Sequence, residues 1–313
     1  MKKFDARPII SAIKRTVDSH KLEEPGAYCR WLWQNEKGKR VLGKNEYGCA
    51  DAMNILYTIG EFQCDDKTRN DRIEALRSMQ NADGGLFVEA THHPIHTTAH
   101  CAAALELFDV RPKYALTALR KYTSKDGLYS LLEGLNWNDP WPESHKGAGI
   151  YAALVNAGEI TEEFSENYFK WLYDNADEET GFWKSGIADK APRTSLRYPN
   201  GKDMPDAIYS YMAGGFHYIF NHEYAKMPLR YPEKIIDTCI QMYENGYLPS
   251  SFGKNINFIE VDWVYSINRA SRQTAYKREK VVELIYDFAE KYIKYLILLY
   301  SSTQWMLLFH RKT

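Results

Sequence analysis

Apolar side chains recur along this chain three and four positions apart, the spacing that gathers them on one face of a helix. The runs also stop in a shared way. IEALRSMQNADGGLF (73–87) reads as an amphipathic helix that ends at Asp83-Gly84-Gly85 and is followed by an aromatic residue. ALTALRKYTSKDGLYS (115–130) and YFKWLYDNADEETGFW (168–183) follow the same grammar, IIDTCIQMYENGYLPSSF (235–252) keeps helix, Asn-Gly and aromatic, and YCRWLWQNEKGKRVLG (28–43) is a weaker early copy. Glycine suits such stops because a helix commonly ends with one residue at positive φ, which glycine adopts at no steric cost.

Each stop is followed by a loop and a second run rich in small and apolar residues: YGCADAMNILYTIG (47–60), HTTAHCAAALELF (96–108), SHKGAGIYAALVNAG (144–158), DAIYSYMAGGFHYIF (206–220) and VDWVYSINRASRQT (261–274). Their alanines and glycines suit helices enclosed on several sides, whereas the charged first set suits an outer layer. With helices at 8–19 and 278–299 added, the pattern predicts about eleven or twelve helices and no strand. The simplest architecture is an all-α, single-domain (α/α) toroid or barrel of about five to six helical hairpins with inner and outer helix rings. Residues 1–24 form its N-terminal helix, 25–276 the hairpin repeats, and 277–313 the last helix and an apolar tail. An open solenoid is the alternative, since a sequence period does not reveal closure.

The units QNADGGLF, KDGLYS and DEETGFW, each between an amphipathic and an alanine-rich helix, resemble the repeats of the terpenoid cyclase and protein prenyltransferase toroid superfamily across about 28–276. DEETGFW is also similar to a phrase of unsaturated-glucuronyl-type glycoside hydrolases, which share a six-hairpin barrel. The superfamily's chemical motifs are missing from the sequence. Class II cyclases protonate an alkene with D-x-D-D, whereas the one Asp-Asp pair here is Asp65-Asp66 in a polar stretch. Prenyltransferases bind zinc with Asp, Cys and His, and VDWVYS has no cysteine near Asp262.

In a toroid the loops after each stop and the first turns of the inner helices open at one end of a central cavity. That singles out Glu46 and Asp51; His92, His93, His96 and His100; Trp137, Trp141, Glu143 and His145; Asp206, Tyr209 and His217; and Glu260, Asp262 and Trp263. His96 and His100, four apart, share a helix face and could chelate zinc or pass a proton, with a third ligand from another hairpin. In WNDPWPESHKGAG, Trp137 and Trp141 are braced by Pro140 and Pro142 and could stack on a sugar, with Glu143 or His145 as acid or base, or else pack as core with Glu143 or Ser144 as a helix cap. The catalytic candidates are His145, Glu143, His100, Asp262 and Asp51. The substrate-binding candidates are Trp137, Trp141, His93, His96, Tyr209, His217 and Trp263.

The net charge of -1 and the scattered lysines and arginines argue against nucleic acid. Five cysteines without paired spacing and a start without a signal-peptide core indicate reduced thiols and a cytoplasmic protein. The apolar run 292–313 is broken by Lys294 and by Ser301 to Gln304, so it reads as a covered helix or an oligomer contact rather than a membrane span. A cavity lined by His, Asp and Glu fits acid/base chemistry on a saccharide or other polar small molecule, by hydrolysis or elimination. The alternatives are an isoprenoid-handling relative of the cyclases and prenyltransferases, and a non-catalytic binding or scaffold protein.

Overall fold

A computed structural model describes residues 4–183, 208–244 and 258–301; their regular secondary structure is helical, with isolated bridges and no strand among them. The α-helices are α1 (Arg7–Ser19), α2 (Glu46–Thr58), α3 (Asp66–Arg77), α4 (Pro94–Glu106), α5 (Lys125–Glu133), α6 (Pro140–Gly147), α7 (Gly149–Ala157), α8 (Glu162–Asp174), α9 (Ile208–Ala225), α10 (Pro232–Glu244), α11 (Phe258–Ser271) and α12 (Arg278–Ser301). No described helix is long and apolar enough to cross a membrane. The 302–313 part of the apolar tail lies outside the described residues.

Local chemistry sets the helix starts. The Asn45 side chain accepts from the backbone N–H groups of Tyr47 and Gly48, and Asp65 does the same for Thr68, each satisfying donors that a first turn leaves open. Proline opens α1, α4, α6 and α10, where its missing N–H costs nothing. Glycine turns form at the predicted places, with positive φ at Gly84, Gly85 and Gly181, but they do not end the helices: α3 ends at Arg77, with Ser78 as its C-cap at φ -65°, and α8 ends at Asp174.

Three expectations are corrected. The 28–43 copy forms no helix; it is an extended strip closed by an antiparallel bridge between Cys29 and Lys44. In 115–130 the helix does not stop at Asp126-Gly127: a short 3-10 turn (Thr117–Tyr122) comes first, and α5 begins at Lys125 and runs through Gly127. Asp126 stands in the first turn of α5, where the helix dipole favours an acid, so the dipeptide starts a helix. The predicted single helix over 144–158 is two, with Ala148 as the C-cap of α6 and α7 beginning at Gly149.

Packing divides the chain into two compact units, Met1–Gly127 with Gly149–Phe164, and Leu128–Ala148 with Ser165–Thr313. In the first unit α2 packs on α1, α3 and α4, and α4 lies along α7. Its core includes Met53, Leu56, Leu76, Phe87, Leu105 and Phe108. Small residues permit the close contacts: a methyl at Gly48 would stand 2.5 Å from the Cys29 carbonyl carbon, and one at Gly149 would stand 3.2 Å from Ile95. In the second unit α9 packs on α6 and α11, while α10 and α12 pack on α11. Here buried indoles anchor backbone carbonyls, Trp137 on Leu132, Trp183 on Leu172 and Trp263 on Cys239.

At Gly85, with φ at 77°, a methyl would stand 2.0 Å from the Ala115 carbonyl oxygen. Gly85→Ala is expected to cost about 3 kcal/mol or more, since both backbone strain and a clash with main chain are imposed. Gly43→Ala, also at positive φ but with nothing within 4 Å, is expected to cost only about 1–2 kcal/mol. Urea midpoints at constant m-value compare the two.

Candidate active site

In the first unit, α2 and the entry to α4 bring four singled-out residues, Asp51, His92, His96 and His100, into one cluster around Tyr47. The Tyr47 ring lies face to face with His92 at 4.3 Å, His100 at 4.8 Å and His96 at 6.1 Å between centroids. Tyr47 Oη and His96 Nδ1 share a 2.5 Å hydrogen bond. His100 Nε2 stands 2.7 Å from Asp51 Oδ1, with the His100 side chain 25% and the Asp51 side chain 47% exposed. A carboxylate only accepts, so Nε2 carries the hydrogen and Nδ1 is the basic nitrogen of His100. The spacing explains the geometry: His96 and His100 are one turn apart on α4, as Tyr47 and Asp51 are on α2, so the two helices meet tyrosine to imidazole and carboxylate to imidazole.

A second layer fixes His92. Thr91 Oγ1 donates to Glu89 at 2.6 Å and accepts from Arg30 at 2.6 Å, so toward His92 Nδ1, 2.7 Å away, it accepts. Nδ1 of His92 therefore bears the hydrogen. Burial lowers the His92 pKa, and the Arg30 guanidinium adds to this, so the ring is neutral at neutral pH. Burial alone would raise Glu89, but hydrogen bonds from Thr91, the Arg30 charge and His92 together hold it below its ordinary range. Glu46 is pushed up by burial, with the nearby Glu89 adding to the shift. Burial also raises the Tyr47 phenol, which keeps it a proton donor. The Arg30 guanidinium lies 4.7 Å over the Tyr47 ring. Arg30 and Asp51 also line a cleft of about 160 Å³ with Thr16, His20, Cys29 and Ile55.

His93 stands apart from this cluster. It is exposed and is the N-cap of α4, with its Nδ1 accepting from the Ile95 N–H. No set of three His, Cys, Asp or Glu ligand atoms within 4.8 Å of one another includes His100 among the described residues. The hydrogen on Nε2 and the bond to Asp51 instead suit proton transfer.

The second unit holds the other candidates. Trp141 meets His145 edge to face at 5.4 Å, and His145 meets His217 likewise at 5.2 Å. Ser144 is buried inside α6 and is not a cap; its Oγ donates to the Trp141 carbonyl at 2.6 Å. It can then only accept from His217, whose Nδ1 is 2.8 Å away, which leaves Nε2 as the basic nitrogen of His217. Glu143 pairs with Lys146 at 2.5 Å and accepts from the Asn136 N–H, tying down the loop before the helix. Trp137 and Trp263 are core: Trp137 stacks on Trp171, and Trp263 is fully buried against Tyr243 and Phe288. Neither presents a face to a ligand, because both indoles are spent on packing and on a carbonyl. Asp206 and the Tyr209 side chain lie outside the described residues.

Tyr47 and Arg30 are members of the cluster that the sequence pattern does not single out; the signal that points to Tyr47 is its four-residue offset from Asp51, which mirrors His96 and His100.

Asp262 is buried on α11, and burial, with Glu260 adding to it, pushes its pKa up to about 8 from an ordinary 3.8. A carboxyl raised in this way stabilises the fold fully below the unfolded value, and that contribution is lost as pH rises toward 8. Asp262→Asn should therefore match the parent near pH 4 and exceed it at pH 8 by on the order of 4 kcal/mol. Urea titrations across that range measure the gap, and a constant difference at all pH values would contradict this assignment.

A scan against protein-family models matched none, and searches of curated proteins and of solved structures found no match.

Proposed function

We propose that the chain is an enzyme whose first-unit cluster performs acid/base chemistry on a saccharide or other polar small molecule, by hydrolysis or elimination. The observation that carries the proposal is the 2.7 Å bond between Asp51 and His100 beside the hydrogen-bonded Tyr47 and His96. Asp51 orients His100 by accepting from its Nε2 hydrogen, so Nδ1 serves as a general base. The Tyr47 phenol, held protonated by burial, is the matching proton donor. Arg30 supplies a fixed positive charge for an anionic group. The cleft at Asp51 and Arg30, about 160 Å³, is smaller than the roughly 300 Å³ at which ligand pockets begin. It takes a ring substituent or a single group rather than a whole substrate.

A hydrocarbon substrate is served less well by this cluster, because three imidazoles and three carboxylates stand where an isoprenoid would need an apolar wall. The toroid expectation rests on the sequence repeat and on the resemblance it carries, and it is kept here as part of the proposal.

The test is turnover of a panel of neutral and uronate-containing oligosaccharides, followed by product mass, because hydrolysis adds water and elimination does not. His100→Gln and Asp51→Asn are expected to lower kcat by about 10²–10⁴-fold with unchanged melting temperature, and Tyr47→Phe to lower it also. Full activity in His100→Gln would refute the assignment. So would a panel left untouched while an isoprenoid diphosphate raises the melting temperature.

A further inference from the structure

The extended strip that stands where the early repeat copy predicts a helix carries a loop, 31–43, whose amide side chains are spent on its own backbone. The Gln34 amide donates to the Arg40 carbonyl and accepts from the Arg40 N–H, both at 2.7 Å. Asn35 accepts from the Lys39 N–H at 2.9 Å, and the Gly38 N–H closes the turn on the Asn35 carbonyl at 2.9 Å. The Arg40 guanidinium donates to the Trp33 carbonyl and lies 4.4 Å over Trp31 and 5.7 Å over Trp33. Arg30 then lies between Trp31, at 5.1 Å, and Tyr47. The loop is thus braced by alternating indoles and guanidiniums.

What this brace displays is apolar. Leu32 is 37% exposed, Trp33 46%, Val41 55% and Leu42 49%. Beside them, the tip EKGKR sets Lys37, Lys39 and Arg40 against Glu36 alone. A sugar would need outward amides or carboxylates to meet its hydroxyls, and Gln34 and Asn35 are committed to the turn. An indole and aliphatic side chains flanked by lysines match instead the boundary between acyl chains and anionic headgroups, where tryptophan is favoured and basic residues gain from the surface potential.

We propose that this loop docks the chain on an anionic lipid bilayer, with Trp33, Val41 and Leu42 entering the interface and Lys37 and Lys39 lying over the headgroups. The contact is peripheral, and it is independent of the acid/base reading of the nearby cluster.

Sedimentation of the full chain with vesicles tests it. Binding is expected to an equimolar mixture of phosphatidylcholine and phosphatidylserine, with little to phosphatidylcholine alone and weakening as salt is raised. Lys37→Glu with Lys39→Glu should lower the partition coefficient at least about tenfold, since each charge near such a surface is worth about fivefold. Trp33→Ser with Leu42→Ser should lower it at least about tenfold by removing the inserted groups. The lysine pair is exposed, so this arm reads docking even if the apolar pair perturbs the fold. Equal partition onto neutral and mixed vesicles overturns the proposal, as does binding that both double variants retain. A wild-type dimer in size exclusion that Trp33→Ser with Leu42→Ser abolishes, without vesicle binding, also overturns it and assigns the patch to a second copy of the chain.

Discussion

The close approach of main chain at Gly48 is the constraint on which the first unit's chemistry depends. A side chain there would run into the backbone of Cys29 and Arg30, so only glycine lets the extended strip lie directly on α2. That contact places Arg30 over the ring of Tyr47, the residue before Gly48, and brings Thr91 and Glu89 within reach of the same guanidinium. Asn45 reinforces it by capping α2 at Tyr47 and Gly48 while its own N–H donates to the Tyr28 carbonyl. The start of α2, the strip and the position of the tyrosine are therefore one problem solved within the four residues from Asn45 to Gly48. Asp51, a turn further along α2, inherits its position toward His100 from the same solution.

The second unit is organised differently, around large aromatics rather than close backbone contact. Trp137, Trp183 and Trp263 each satisfy an indole N–H on a carbonyl, which lets big side chains be buried without an orphaned donor. Asp262 breaks that economy, because a carboxyl in this setting favours its neutral form and disfavours the ionised one. His217 carries a related signature. Its ring is oriented by a serine whose only hydrogen is committed elsewhere, so the serine is a positioning group and not a nucleophile.

The parts of the fold legible in sequence were those written in local rules. The helices at 47–60, 96–108 and 278–299 follow from apolar period and capping, and each formed within a few residues of its expected place, whereas α3 ends at Arg77, short of the Gly84-Gly85 turn that the pattern reads as its stop. The errors arose where one signal has two structural meanings. Asp-Gly in KDGLYS matches a helix stop by analogy with QNADGG, yet it also suits a first turn, and nothing within 115–130 separates the two. Among the histidines, the four-residue spacing correctly paired His96 with His100 on one face, but pattern alone could not reveal that His93 caps the helix. Tyr47 and Arg30 were hidden for a further reason. Their importance comes from contact across 49 and 59 positions, to His96 and Glu89, and no local window contains it.

The strip at 28–43 shows where a repeat stops being scaffold. Its sequence keeps aromatic and glycine in roughly the places that the hairpin grammar asks for, but the Cys29–Lys44 bridge and the Gln34 and Asn35 staples hold it extended. A helix over 28–43 would turn Trp31 and Trp33 to different faces and separate Arg30 from Arg40 by several turns. The extended form instead interleaves the guanidiniums with the indoles and ends the stack on Tyr47. One departure from the repeat thus yields both an exposed apolar loop and a cation fixed over the acid/base cluster. That is why the weakest copy in the pattern contributes more to the candidate chemistry than the most regular ones, in keeping with the rule that sequences break local consistency where function demands it.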